Sequence, residues 1–192
     1  MPKLTKIANR ITAAADVVDA AISVGGQAAE LFPTHHQCSI DRINKSSNYT
    51  LCNPSVYIES GFCTQPLPPS IDPTSPGSAL FTKTAKTARG AVGVFTYDLL
   101  DKSTKESTEK IAVMFSVPYD FNLYSNWYAV GIFDKSKECN HDLNYQMYTN
   151  THHMLTRKKA GLSVSHSKDR VAIMVSMTDS YQPVMKVEVK DG

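Results

Sequence analysis

From Cys38 onward the apolar residues of this chain fall into a two-residue period, and that alternation most limits what it can fold into. Near the C-terminal end, Met185, Val187 and Val189 alternate with Lys186, Glu188 and Lys190, the pattern of a strand with one buried face and one wet face. Residues 55–60, 93–99, 111–117, 127–133 and 171–177 read as strands on the same grounds, and 184–190 completes the set. Short strands separated by turn formers predict a mainly β chain, a β-sandwich built from residues 37–192. Residues 37–43 are expected to pair with 49–51 around a turn at 45–48, setting Cys38 opposite Cys52, either bonded or merely adjacent. Five of the ten prolines (Pro66, Pro68, Pro69, Pro73 and Pro76) fall between residues 65 and 77, which predicts a stiff, extended loop rather than a linker. The whole of 1–192 is therefore read as one domain, without internal repeats.

The first thirty residues follow another period. Leu4, Ile7, Ile11, Ala14, Ala15, Val18, Ala21 and Ile22 recur at steps of three and four, while Lys3, Lys6, Arg10, Asp16 and Asp19 fall mostly on the other side. This predicts an amphipathic N-terminal helix that packs its apolar stripe on the sandwich and ends at Gly25-Gly26, a flexible joint. A short second helix is expected over residues 142–150. As a helix, residues 3–24 would be roughly 30 Å long, close to the thickness of a hydrocarbon core. One such charged helix does not span a bilayer alone. Several together would turn apolar stripes to lipid and polar faces to water, with Arg10, Asp16 and Asp19 lining the lumen and the acids favouring cations. Asp16 and Asp19 also interrupt what would be the apolar core of a signal peptide. The expectation is a signal already removed or a chain made without one, so that storage in the cytosol before release is one route.

Other functional classes find little support. A net charge of +2 gives no electrostatic case for a nucleic-acid partner, and Arg157-Lys158-Lys159 reads as a solvated loop. There is no GxSxG, P-loop, GxGxxG or HExxH, so no enzyme and no cofactor is expected. Cys38, Cys52, Cys63 and Cys139 contain no CxxC, and the adjacent pairs His35-His36 and His152-His153 are poor metal ligands that read as exposed loop residues. Asn44 and Asn48 open glycosylation sequons, meaningful on a secretory route.

One segment does carry a signal. Residues 115–128 hold six aromatics in fourteen positions and break at Pro118. Phe115 and Val117 continue a strand alternation and belong to the core. Tyr119, Phe121, Leu123, Tyr124, Trp127 and Tyr128 follow the proline and are expected largely on a loop that contacts membrane or ligand, because Tyr and Trp suit places with one apolar and one wet side. Residues 113–127 resemble the signature of the actinoporins, and Thr87-Ala88-Arg89-Gly90-Ala91-Val92-Gly93-Val94-Phe95-Thr96-Tyr97 resembles the segment that precedes it in that family. Weaker similarity covers 39–61 and 143 onward, and the overall look is closer to actinoporin-like proteins from outside the sea anemones.

The resemblance implies a β-sandwich flanked by two helices. Its N-terminal segment, residues 1–26 here, would detach, insert and oligomerise into a cation-conducting pore in a target cell membrane after secretion. It further implies that Ser116, Pro118 and Tyr124, with Ser60 and Val92 as wall positions and Tyr148 from the second helix, form a site for phosphocholine lipids, sphingomyelin among them. Aromatic faces bind a quaternary ammonium by cation–π attraction, and hydroxyls can donate to the phosphate. The chain departs from the family pattern at Leu123, where Trp is common, at Asn144 and Thr149, where Tyr is expected, and at Glu59, which replaces Arg. No Arg-Gly-Asp follows the second helix. Each missing aromatic is expected to weaken such a cage by ~0.5–2 kcal/mol. The rival reading is a non-lytic, lectin-like or headgroup-binding module on the same sandwich, with glycans as ligands.

Overall fold

The computed structural model describes residues 36–149 and 153–192. The helix expected over 1–26, and with it Arg10, Asp16 and Asp19, lies outside the described residues. Two six-stranded sheets face each other. The first contains β1 (Gln37–Asn44), β3 (Phe62–Gln65), β5 (Pro76–Thr82), β10 (Ser163–Lys168), β11 (Val171–Met177) and β12 (Val184–Asp191), in the order β10-β11-β12-β1-β5-β3. The second contains β2 (Tyr49–Ser60), β4 (Ser70–Ile71), β6 (Ala91–Asp101), β7 (Glu109–Val117), β8 (Trp127–Asp134) and β9 (Leu155–Lys159), in the order β4-β2-β6-β7-β8-β9. Strands β1 and β12 run parallel at the middle of the first sheet, and the other described pairs are antiparallel.

Between the sheets lies an apolar layer built by alternation. Ile111, Val113, Phe115 and Val117 of β7 and Tyr128, Val130 and Ile132 of β8 point inward, where Ile173, Val175, Met185 and Val187 of the first sheet meet them. Phe81 of β5 crosses the gap to Phe115, with ring centroids 4.6 Å apart, and stacks toward Phe95 at 6.5 Å. Such large buried aromatics dominate the stability of a sandwich core.

Among the described residues, the helix α1 (His141–Thr149) covers the outer face of the second sheet. Asn140 caps it, its side-chain oxygen accepting the Leu143 N–H at 3.1 Å. Leu143 and Met147, four residues apart, press on Val94, Ala112, Met114, Ala129 and Leu155 in a second apolar cluster. The central strands are thus apolar on both sides.

Four expectations need correction. Residues 37–43 and 49–51 are not a hairpin: β1 belongs to one sheet and β2 to the other. Cys38 is fully buried between the sheets, where burial pushes its thiol up, and no disulfide joins it to Cys52. The segment 65–77 is not wholly a loop, because β4 lies inside it and β5 begins at Pro76. Arg157-Lys158-Lys159 closes strand β9 instead of lying in a loop, and β10 is a further strand that the period missed. His36 is buried, although His153 is exposed as expected.

The polar residues 45–48, read as a hairpin turn, make with Asn44 a corner between sheets. The Asn44 amide donates to the carbonyls of Tyr49 (2.7 Å) and Ile71 (3.0 Å), and its oxygen accepts the Ser46 N–H. The Ser46 hydroxyl donates to Asp191 and accepts the N–H groups of Asn48 and Tyr49. Asn44 is completely buried, which closes the first sequon to a glycan in the folded chain, whereas Asn48 is exposed.

Asn44→Ala leaves the buried Ile71 carbonyl and the part-buried Tyr49 carbonyl without their donor and should lower the unfolding free energy by about 1–3 kcal/mol, read from the urea midpoint at unchanged slope. Burial opposes ionisation of Asp191, but hydrogen bonds from Ser46, Ser47 and Asn48 together hold its carboxyl down to about 2. The unfolded value is about 4, so this stabilisation is complete above about pH 4 and is lost as pH falls toward 2. Asp191→Asn should flatten that part of the stability–pH curve, and an unchanged curve would show that the corner does not depend on this charge.

Candidate functional site

The strand register aligns residues that lie far apart in the chain. Ser60 pairs with Val92, Val92 with Ser116, Ser116 with Trp127, and Trp127 with Lys159. These pairs form one continuous row across β2, β6, β7, β8 and β9, on the face that carries α1, because Ser116 and Trp127 alternate with the inward Phe115 and Tyr128. Ser60, Val92 and Ser116, expected in one site, are therefore neighbours. The Ser60 hydroxyl donates to the Gly90 carbonyl at 2.8 Å. Gly90 itself lies so close to Val117 that an added Cβ would sit 1.8 Å from that carbonyl oxygen, so only glycine permits this approach of the β5–β6 loop to Pro118.

Tyr148 joins the row through a residue that the sequence reading set aside. The Arg157 guanidinium lies 3.7 Å from the ring centroid of Trp127 and 4.9 Å from that of Tyr148, stacked between strand and helix. Its Nε is buried without a hydrogen-bond partner, and burial lowers its affinity for the proton. A half-buried cation held by two ring faces is oriented and retains spare donors. Glu59 is exposed and accepts the Tyr57 hydroxyl at 2.8 Å. Asn144 is buried beneath the helix with its side-chain oxygen unpartnered, so it offers the surface no aromatic ring.

The β7–β8 loop leaves this end of the sandwich at Pro118. An Asp120 carboxylate oxygen accepts the N–H groups of Asn122 (2.9 Å) and Leu123 (3.3 Å), and the Asp120 carbonyl accepts the Tyr124 N–H. This side-chain-capped turn presents Leu123 and Tyr124 outward, 73% and 64% exposed. Fully buried Asn126 anchors the loop base, donating to the Ser180 carbonyl and accepting the Ala160 N–H at its own carbonyl. Large apolar groups exposed on such an organised turn mark a contact surface.

The other loop aromatics are differently placed. Tyr119 is 45% exposed but packs on His36 (5.3 Å) with Lys83 Nζ 5.0 Å from its ring centroid, and half-buried Phe121 lies 4.9 Å from Tyr181. His36 also packs edge-on against Tyr181 at 5.7 Å. Tyr128 departs from its expected place in the contact surface. It is fully buried in the inter-sheet core, where its hydroxyl donates to the carbonyls of Leu162 and Val175 and burial raises its pKa to about 12.

Two exposed residues at this pole escaped the sequence reading: Tyr181 (48%) and Leu162 (57%). Tyr181 stands in the turn Ser180–Pro183, where one aromatic two residues before a proline was the available signal. Leu162, in the short β9–β10 turn, carries no such mark.

Because Trp127 is the single tryptophan, its stacking on Arg157 can be tested directly. A double-mutant cycle on Arg157→Met and Trp127→Leu should give a coupling of about 0.5–2 kcal/mol in urea unfolding. Arg157→Met should also change the intrinsic fluorescence. Coupling near zero would show that the stacked pair contributes nothing to the fold.

Residues 34–189 match the sea anemone cytotoxic protein family. Bryoporin of Physcomitrium patens is 30% identical over 146 residues, which cover 75% of this chain and 78% of bryoporin. DELTA-actitoxin-Aas1a of Anthopleura asiatica is 38% identical over 98 residues, 49% of this chain and 42% of that toxin. DELTA-alicitoxin-Pse1b of Phyllodiscus semoni is 46% identical over 63 residues, 33% of this chain and 25% of that toxin. The matched region thus spans less than half the length of these two anemone relatives. Among solved structures, the lipid-binding protein Nakanori superposes with a TM-score of 0.69 at 13% identity, over 90% of this chain and 79% of Nakanori, a likeness of fold. With the aromatic loop and the strand row both in place, the family match settles the kinship: this chain belongs to the sea anemone cytotoxic protein family, the actinoporins.

Proposed function

We propose that this chain is a membrane-binding, pore-forming cytolysin. Leu123 and Tyr124 enter the interfacial layer of the bilayer, and the row Ser60–Val92–Ser116, with Pro118, Tyr124 and Tyr148, receives a phosphocholine headgroup. Residues 1–26 then leave the sandwich, insert and oligomerise around a cation-conducting lumen lined by Arg10, Asp16 and Asp19. On this reading the protein is secreted, directly or from a cytosolic store, and acts at a target cell membrane. It has no catalytic step.

The observation that carries the reading is the meeting, at one pole, of a hydroxyl-bearing strand row with an outward aromatic turn. Headgroup recognition needs donors for phosphate and ring faces for the quaternary ammonium. Ser116, Tyr124 and Tyr148 supply the first, Tyr124 and Tyr148 also supply the second, and Ser60, whose hydroxyl donates to Gly90, lines the wall. Family membership and the fold shared with a lipid-binding protein support the same direction. Among the described residues no helix is long and apolar enough to cross a membrane, so insertion is assigned to the amphipathic segment.

Dye release from vesicles of phosphatidylcholine, with and without sphingomyelin, tests this alongside vesicle sedimentation. Deleting residues 1–26 should abolish release and leave sedimentation intact. A non-lytic headgroup-binding module would instead bind without release in both forms. Leu123→Ala with Tyr124→Ala should weaken vesicle binding by about tenfold or more, because ring and apolar contacts are lost together. Undiminished binding by that double variant would remove the loop from the contact surface.

A further inference from the structure

Charge is distributed unevenly between the two poles. At the end away from the aromatic loop, cations stand among carboxylates: Lys45 and Lys190 pair with Glu188, Lys110 with Asp98 and Lys168 with Glu109, while Lys102, Lys105, Lys135 and Arg170, without ion pairs among the described residues, are interspersed with Asp101, Glu106, Asp134 and Asp169. At the aromatic end stand Lys83, Lys86 and Arg89 on the β5–β6 loop and Arg157, Lys158 and Lys159 at the end of β9. Among the described residues, none of these six has a carboxylate within ion-pairing distance. Few acids stand near this pole: Asp120 caps its own turn, Glu59 accepts the Tyr57 hydroxyl, and Asp179 is exposed near Gly161.

The two basic groups flank the apolar surface. The first adjoins Tyr119 through Lys83, and the second adjoins Trp127 through Arg157 and Lys159. Zwitterionic headgroups carry no net charge, so they do not require a ring of unmatched cations around the apolar patch. A surface bearing net negative charge and an apolar interior does fit both features at once.

We propose that the partner at this pole is an anionic lipid surface: the two basic groups bind net negative headgroups while Leu123, Tyr124, Leu162 and Tyr181 enter the interface. This rests on the membrane reading above and adds a lipid charge requirement to it. Each cation brought to an anionic surface is worth about a five-fold gain in affinity, lost progressively as salt screens it. The mixture of acids and bases at the opposite pole gives the molecule a direction of approach.

The test is sedimentation of the full chain with vesicles of phosphatidylcholine and sphingomyelin, with and without phosphatidylserine, across a range of salt. Binding should strengthen at least tenfold with phosphatidylserine at low salt, and that gain should vanish at high salt. Lys86→Glu with Arg89→Glu should erase the gain. Lys105→Glu with Lys135→Glu changes net charge equally at the far pole and should preserve it. Equal binding with and without phosphatidylserine overturns the charge requirement and leaves the membrane reading standing. Equal loss in both double variants also overturns it, because net charge rather than the pole would then decide. No binding to any vesicle, even with retention on heparin beads, rejects the membrane reading together with this proposal and points to a polyanionic glycan.

Discussion

Strand β7 is buried on both faces, and the placement of the site depends on that. Ile111, Val113, Phe115 and Val117 fill the space between the sheets, while Ala112 and Met114 lie under α1. A one-residue slip would exchange these two sets, putting Phe115 beneath the helix and Ala112 and Met114 into a gap shaped for larger groups. Register is therefore strongly fixed. Since Ser116 is the next residue on the helix side, its pairing with Val92 and Trp127 follows from the same packing.

A rigid platform of this kind lets the loops at one end differ in character from those at the other. Far from the aromatic pole, the Lys168–Glu109 ion pair and the Asn44–Ser46–Asp191 corner fasten the two sheets. At the aromatic pole, hydrogen bonds are spent on shaping loops, as in the Asp120 turn and the Asn126 anchor, and the outward side chains include Leu123, Tyr124, Leu162 and Tyr181 beside Lys86 and Arg89. Such exposure carries a solubility cost unless another surface covers it. The proposed membrane contact and the proposed anionic surface both follow from this division of labour.

Much of the fold was legible because alternation is a local property. The strands at 93–99, 111–117, 127–133, 171–177 and 184–190 all lie within observed strands, and the second helix starts one residue before its expected start. The failures have a common cause. Residues 37–51 resemble a hairpin because turn formers separate two strands, yet the Asn44 corner sends the chain to the other sheet, a choice made by distant Ile71 and Asp191. Strand β9 was hidden by its charges. Its Leu155 faces the helix cluster, while Arg157 lies on Trp127 and Tyr148 at an edge, where long cationic side chains cover apolar surface.

For the site, the sequence by itself determined which residue types cluster between Ser116 and Trp127 and which relatives share them, since a contiguous motif needs no folding to be read. Only the tertiary structure decided which side of the sheet each residue faces and what stands opposite it. Tyr128 sits one position from Trp127 yet belongs to the core, because successive residues of a strand point to opposite faces. Ser60, Val92 and Ser116 become neighbours through cross-strand register, and Arg157, Tyr181 and Leu162 reach the same pole through the closure of two sheets. Proximity between distant positions arises from burying both faces of the central strands, an energy shared by the whole fold and written in no short segment of it.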